Sequence, residues 1–71
     1  MDRIEINPAI CSGKPVIRGT RIMVANILGM AAEGYTTEQM IEDFPRLTKE
    51  DISAALRYAA QVVSNEQVIY A

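Results

Sequence analysis

The chain has 71 residues, with seven Lys or Arg, nine Asp or Glu and no histidine, which gives a formal net charge of −2. This length allows one small domain, and a hydrophobic content of 49% is too high for a disordered chain. A net acidic chain is not expected to coat nucleic acid non-specifically, because such binding needs a basic surface. The composition therefore indicates a single folded domain over residues 1–71.

Residue types that support chemistry are scarce. The single cysteine, Cys11, excludes an intrachain disulfide and a cysteine-based metal cage, and we expect it to be a small buried apolar residue. The N-terminus has no apolar signal core, and the apolar-rich stretch 22–32 is far short of the ~20 residues that span a bilayer. We therefore expect a cytoplasmic protein that is not an enzyme and has no metal, cofactor, membrane segment or small-molecule substrate.

The first 23 residues are predicted to form a basic, β-rich arm. They carry four cations and two acids, whereas the remaining residues carry three cations and seven acids. Residues 4–6 alternate as a short strand does, and residues 15–17 and 21–23 are typical of two strands around a turn at Gly19. A lone hairpin is marginal in water, so these strands must pack on something or pair with another chain.

Residues 24–64 have helical apolar spacing, which predicts a three-helix bundle followed by a tail over residues 65–71. The first helix is expected to end at Gly34, where a left-handed cap suits glycine. The second begins with a capping box of Thr36 and Gln39.

The third helix is predicted to begin at Thr48, with Asp51 as its capping partner. Its apolar stripe is expected to comprise Ile52, Leu56, Ala59 and Val63. Only a short turn containing Pro45 separates it from the second helix, which is the outline of a helix-turn-helix.

The third helix also has a polar face, formed by residues at intervals of four: Lys49, Ser53, Arg57 and Gln61. These side chains suit contact with DNA grooves and phosphates, because each can donate a hydrogen bond. The alternative is an ordinary solvated face. The acidic Glu50 and Asp51 in the first turn weigh against insertion into a groove.

The cations of the arm, Lys14, Arg18 and Arg21, are a second candidate for phosphate contact. Two other roles are equally consistent with these cations: they could protect an edge strand against aggregation, or they could pair with the acids of the second helix. Those acids, Glu38 and Glu42, share one helix face and are interpreted as a solvated surface, since no partner base accompanies them.

The short chain and its few strands also predict a homodimer. Pairing of strand edges between two copies would bury the apolar residues of the arm, which are Ile4, Ile6, Val16, Ile17 and Ile22.

Three spaced motifs resemble a known family. Residues 6–22 read INPAICSGKPVIRGTRI, residues 32–39 follow the pattern A-x-G-x-[ST]-x-E, and residues 43–52 follow D-[YF]-P-x-L-T-x-E-D-I. Together with residues 54–59, they resemble the bacterial domain-of-unknown-function family four-three-three over nearly the whole chain. The resemblance implies a mostly α fold, namely a three-helix homeodomain-like helix-turn-helix bundle with a short N-terminal β-hairpin arm.

The resemblance further implies the antitoxin of a toxin–antitoxin pair, usually beside a PIN-like ribonuclease toxin. Such proteins commonly dimerise and repress their own operon. Under this hypothesis, the candidate toxin-binding residues are the apolar ones near the C-terminus: Val62, Val63, Val68, Ile69 and Tyr70. The alternative is a free-standing helix-turn-helix regulator that binds operator DNA without a toxin.

Overall fold

The computed structural model describes residues 3–65. Its elements, in chain order, are β1 (Ile4–Glu5), a 3-10 turn (Cys11–Gly13), β2 (Val16–Ile17), α1 (Val24–Ala32), α2 (Thr37–Asp43) and α3 (Lys49–Asn65). The predicted fold class is confirmed: three helices follow a short antiparallel pair of strands. Each helix within residues 3–65 is too short or too polar to cross a membrane.

The two strands are far apart in sequence and pair with each other directly. Ile4 lies opposite Ile17, and Glu5 lies opposite Val16. Ile4, Val16 and Ile17 are all buried. The strands therefore obtain the packing they need from the helices of the same chain.

The predicted second hairpin, between residues 15–17 and 21–23, is wrong in its extent. Only one bridge forms, between Val16 and Met23. The physical reason is that α1 begins at Val24, so the returning segment becomes helical directly after the bridge at Met23. The turn itself forms as predicted, with Gly19 in the left-handed region at φ +81°.

The loop between the strands contains Cys11, which is half-buried rather than buried as expected. Cys11 and Ser12 both have positive φ, at 48° and 58°, and Gly13 follows at 82°. This tight left-handed turn keeps the cysteine at the surface of the arm, where its Sγ lies 3.8 Å from the Arg21 carbonyl oxygen.

Local caps set the end of α1 and the starts of α2 and α3, as the sequence predicts. Gly34 takes a positive φ of 89° just beyond α1. At α2, the Gln39 N–H donates to Thr36 Oγ1 (3.1 Å), and the Thr36 N–H donates to Gln39 Oε1 (2.8 Å). At α3, Thr48 and Asp51 exchange the equivalent two bonds, both of 3.1 Å.

The core lies where the three helices meet the strands. Val16, Ile17 and Ile27 are the largest fully buried side chains. One apolar cluster joins both strands and all three helices; it comprises Ile4, Ile17, Val24, Ile27, Met40, Leu47, Ile52, Ala54 and Ala55.

The predicted apolar stripe of α3 is only partly buried. Ile52 is buried, but Leu56 is 44% exposed and Val63 is 68% exposed. Around the helix axis, Leu56 and Val63 lie on the opposite side of Ile52 from the buried Ala55, so they fall at the edge of the face that meets the core. The side that faces the core passes instead through Ile52, Ala55, Ala59 and Val62.

Candidate functional site

The four residues predicted to contact DNA lie on one exposed face of α3. Lys49, Ser53, Arg57 and Gln61 are all exposed. The first three line an open cavity of about 370 Å³, and Arg3 from the arm joins them there. Gln61 lies one turn further along the helix. The cavity presents three cations and one hydroxyl, which can hold a phosphate group, and the exposed carboxylate of Glu50, which opposes one.

Arg3 was missed by the sequence reasoning. Its Nη1 donates to Asp51 Oδ1 at 3.0 Å, which connects the start of β1 with the first turn of α3. The Asp51 side chain is 10% exposed, whereas that of Arg3 is 49% exposed. Asp51 thus accepts both the arginine and the capping N–H of Thr48. No local pattern reveals this pair, because 48 residues separate its members.

The three cations of the arm do not form a single patch. The Arg18 backbone N–H donates to the Arg3 carbonyl oxygen (2.8 Å), and its Nη2 donates to the Ile4 carbonyl oxygen (3.3 Å). Arg21 is exposed and lines a cavity of about 450 Å³ beside the turn at Gly19. Lys14 lies on a different surface, described below.

Arg46 is a second cation that the sequence analysis did not single out. Its Nη2 donates to the Gly19 carbonyl oxygen at 3.0 Å, which ties the turn between α2 and α3 to the arm. It also lines the same cavity as Arg21. The structure therefore creates a second basic surface, with Glu5 among its lining residues. The acids of α2, Glu38 and Glu42, are exposed, as the sequence predicts.

A groove with almost entirely apolar walls lies between α1 and the C-terminal half of α3. We call it the apolar groove; its volume is about 290 Å³. α3 contributes one wall, and α1 with the segment before it contributes the other. The lining residues are Lys14, Pro15, Met23, Val24, Ala25, Leu28, Tyr58, Ala59, Val62 and Val63.

Two of the predicted toxin-binding residues belong to this groove. Val62 is 42% exposed and Val63 is 68% exposed. The other three, Val68, Ile69 and Tyr70, lie outside the described residues. Exposed apolar side chains beside an apolar groove are typical of surfaces that bind another protein.

The residues predicted to form a dimer do not share one surface. Ile4, Val16 and Ile17 are buried in the core of the chain, and Ile22 packs partly against it. Ile6 is exposed. A dimer formed through these strands would therefore have Ile6 as its most accessible side chain.

The comparisons with known proteins identify the family. The family described as "Protein of unknown function (DUF433)" matches residues 4–59. The uncharacterized protein y4eO of Sinorhizobium fredii (strain NBRC 101917 / NGR234) is 42% identical over 56 residues, which are 79% of this chain and 25% of that protein. This chain thus spans about a quarter of the length of that curated relative.

A solved structure shares the fold. The crystal structure of a DUF433 member protein from Anabaena variabilis ATCC 29413 matches with a TM-score of 0.80 and 36% sequence identity. The match covers 86% of this chain and 60% of that one. The family match over most of the sequence and the shared fold lead to one conclusion: this chain belongs to the DUF433 family.

Proposed function

We propose that this protein is the antitoxin of a toxin–antitoxin pair, which acts in the cytoplasm by binding and neutralising a PIN-like ribonuclease and represses its own operon. It performs no reaction of its own in this role. The observation that carries the proposal is the group of exposed apolar side chains in the C-terminal half of α3. An inhibitor of this kind needs a surface that covers part of its target, and Val62 and Val63 stand exposed at the apolar groove.

The size of the chain supports the same role. A domain of 71 residues has little interior in which to build a catalytic cleft, but a single helix face is sufficient for a protein interface. Exposing apolar side chains to water is unfavourable in free energy, and a small domain has little stability to spare. A partner that covers these side chains stabilises the folded chain.

Co-expression with the product of the adjacent reading frame tests the proposal. We expect a stable complex, loss of that product's ribonuclease activity in the complex, and rescue of growth. A version ending at Ser64 tests the contribution of the tail residues Val68, Ile69 and Tyr70, with its thermal unfolding measured in parallel. If no neighbouring protein co-purifies with the full chain, the antitoxin proposal is wrong.

Binding to operator DNA is the second part of the proposal. The alternative function, a free-standing helix-turn-helix regulator, would consist of operator binding without a toxin. The cavity that Arg3, Lys49 and Arg57 share on the exposed face of α3 favours it. In gel-shift titrations with the DNA upstream of the gene, Arg57→Ala and Lys49→Ala should each weaken binding. Arg18→Ala and Arg21→Ala test the arm.

These assays separate the two functions. DNA binding without any co-purifying neighbour indicates the free-standing regulator. Binding that strengthens when the neighbouring protein is added indicates the antitoxin, because the complex contributes further contacts and valency. If all four alanine variants bind DNA like the unmodified protein, the assignment of the DNA-binding face is wrong.

A further inference from the structure

The core-facing side of α3 continues beyond the part that the other elements of residues 3–65 cover. Ile52 and Ala55 are buried, whereas Val62, on the same side two to three turns later, is 42% exposed. Ala59 lies between them and lines the apolar groove. Among the described residues, the groove therefore continues the face of α3 that forms the hydrophobic core.

The dimensions of the groove favour side chains rather than a free small molecule. Its volume of about 290 Å³ is at the lower limit of the roughly 300–1,000 Å³ of pockets that enclose such ligands. Small residues face it from both helices, Ala25 from α1 and Ala59 from α3. Small side chains let another helix approach closely and insert a few apolar anchors, as in helix-in-groove recognition.

The charge of the groove discriminates between possible occupants. Lys14 is exposed and is the one charged residue among the described lining residues. Within residues 3–65, no carboxylate forms an ion pair with it. An occupant that presents a carboxylate to Lys14 would gain a charge-assisted hydrogen bond at the edge of a dry interface.

The same argument disfavours a second copy of this chain. A two-fold dimer through the groove places the same surface on both sides of the interface. That surface carries Lys14 and, among its described lining residues, no acid, so each copy would bring a cation and no anion. A different protein that presents an Asp or Glu therefore complements Lys14 better than the same described surface of a second copy does.

We infer that the apolar groove binds one amphipathic helix of the partner protein, whose apolar face packs on Ala59, Val62 and Val63 and whose Asp or Glu side chain pairs with Lys14. This inference rests on the proposed function, in which the partner is the neighbouring ribonuclease, and it specifies the element of that partner that is recognised. The remainder of α3 stays free, so the polar face with Lys49 and Arg57 remains accessible in the complex.

Affinity measurements with the purified product of the adjacent reading frame test this inference. Val63→Glu places a carboxylate on the apolar wall and should weaken binding by about 100-fold. Lys14→Glu should weaken it by about tenfold through repulsion of the partner's carboxylate, whereas Lys14→Arg should retain it. Ile6→Glu is the matched control, because Ile6 is 58% exposed and lies outside the groove. The affinity of this variant for the ribonuclease should equal that of the unmodified chain.

Zero-length carbodiimide cross-linking locates the contact independently of affinity. The expected product joins the Lys14 amine to an Asp or Glu in a helix of the ribonuclease, and Lys14→Arg should abolish it while preserving the complex. If the unmodified chain binds the ribonuclease, and Val63→Glu and Lys14→Glu both bind it equally well, the inference is wrong but the proposed function stands.

Two further outcomes also overturn the inference. If the unmodified chain does not bind the ribonuclease at all, the proposed function fails and the inference fails with it. If the free protein sediments as a dimer that Val63→Glu converts to a monomer, the occupant is a second copy. Circular dichroism of every variant verifies that the fold is retained.

Discussion

The two halves of α3 have similar apolar residues but different surroundings. In the first half, residues 49–55, Ile52 is 3% exposed and Ala55 is fully buried. In the second half, residues 56–65, Val62 is partly exposed and Val63 is mostly exposed. Both halves follow one helical periodicity, so periodicity places a side chain on a face but does not bury it. Burial also requires an element that covers the face.

The length of the helices explains the difference. α3 has 17 residues and α1 has nine, which correspond to roughly 25 Å and 13 Å at about 1.5 Å per residue. α2 has only seven residues. The shorter elements cover the beginning of α3 and leave its end exposed. Stability should therefore depend on the first half, whereas binding of a partner should depend on the second.

Truncation of one buried side chain should have the largest effect. Ile52→Ala removes a side chain from the centre of the core and should lower the free energy of unfolding by about 3 kcal/mol. Val62→Ala, the matched change in the second half, should stay within about 0.5 kcal/mol. Urea unfolding monitored by circular dichroism measures both. Equal losses would show that Val62 is covered in the free protein.

Enlarging two alanines of the same face should have the next largest effect. Ala55 is fully buried, so Ala55→Leu overpacks the core and should cost about 2 kcal/mol. Ala59 lines the open groove, so Ala59→Leu should change stability by less than about 0.5 kcal/mol. The same urea titrations apply. A large loss for Ala59→Leu would contradict the presence of an open groove.

Removal of the cap at the start of α3 should have a smaller effect. Thr48→Ala eliminates the hydroxyl that accepts the Asp51 N–H and should cost about 1 kcal/mol. In a domain of this size, that lowers Tm by roughly 4–8 °C. Ser64→Ala, in the last turn of the exposed half, is the control and should leave Tm unchanged. Differential scanning calorimetry gives both values.

Loss of the link between the arm and α3 should have the smallest effect. Arg3→Ala removes the ion pair with Asp51, but the arginine is half exposed, so the cost should be about 0.5 kcal/mol. Raising the salt concentration should reduce this difference, because the pair is partly screened. Arg21→Ala, which breaks no ion pair within residues 3–65, is the comparison. A double-mutant cycle with Asp51→Asn isolates the coupling energy.

Features that depend on near neighbours in the chain were predicted correctly. The caps at Thr36 and Thr48 and the left-handed residue at Gly34 arise from hydrogen bonds or backbone freedom within a few residues. The polar face of α3 follows from helical spacing alone. The sequence predicts these features because both residues of each interaction lie within one or two helical turns of each other.

Features that depend on distant segments were not predicted. The buried arm residue Ile17 was expected at a dimer edge, and the attachment of Arg46 to the Gly19 carbonyl had no local signal. The extent of burial along α3 was also misjudged, because helical spacing does not show that the other elements leave Leu56 exposed. Each of these outcomes depends on how the strand arm folds onto the helices.

The sequence by itself therefore determined the three helices, their caps, the polar face with Lys49 and Arg57, and the family to which the chain is similar. Only the tertiary structure decided that β1 pairs with β2, that Arg3 reaches Asp51, and that Val62 lines the apolar groove. Local hydrogen bonds and side-chain periodicity are properties of neighbouring residues. Strand pairing, ion pairs and burial depend on which distant surfaces meet, and this depends on the relative lengths and packing of whole elements.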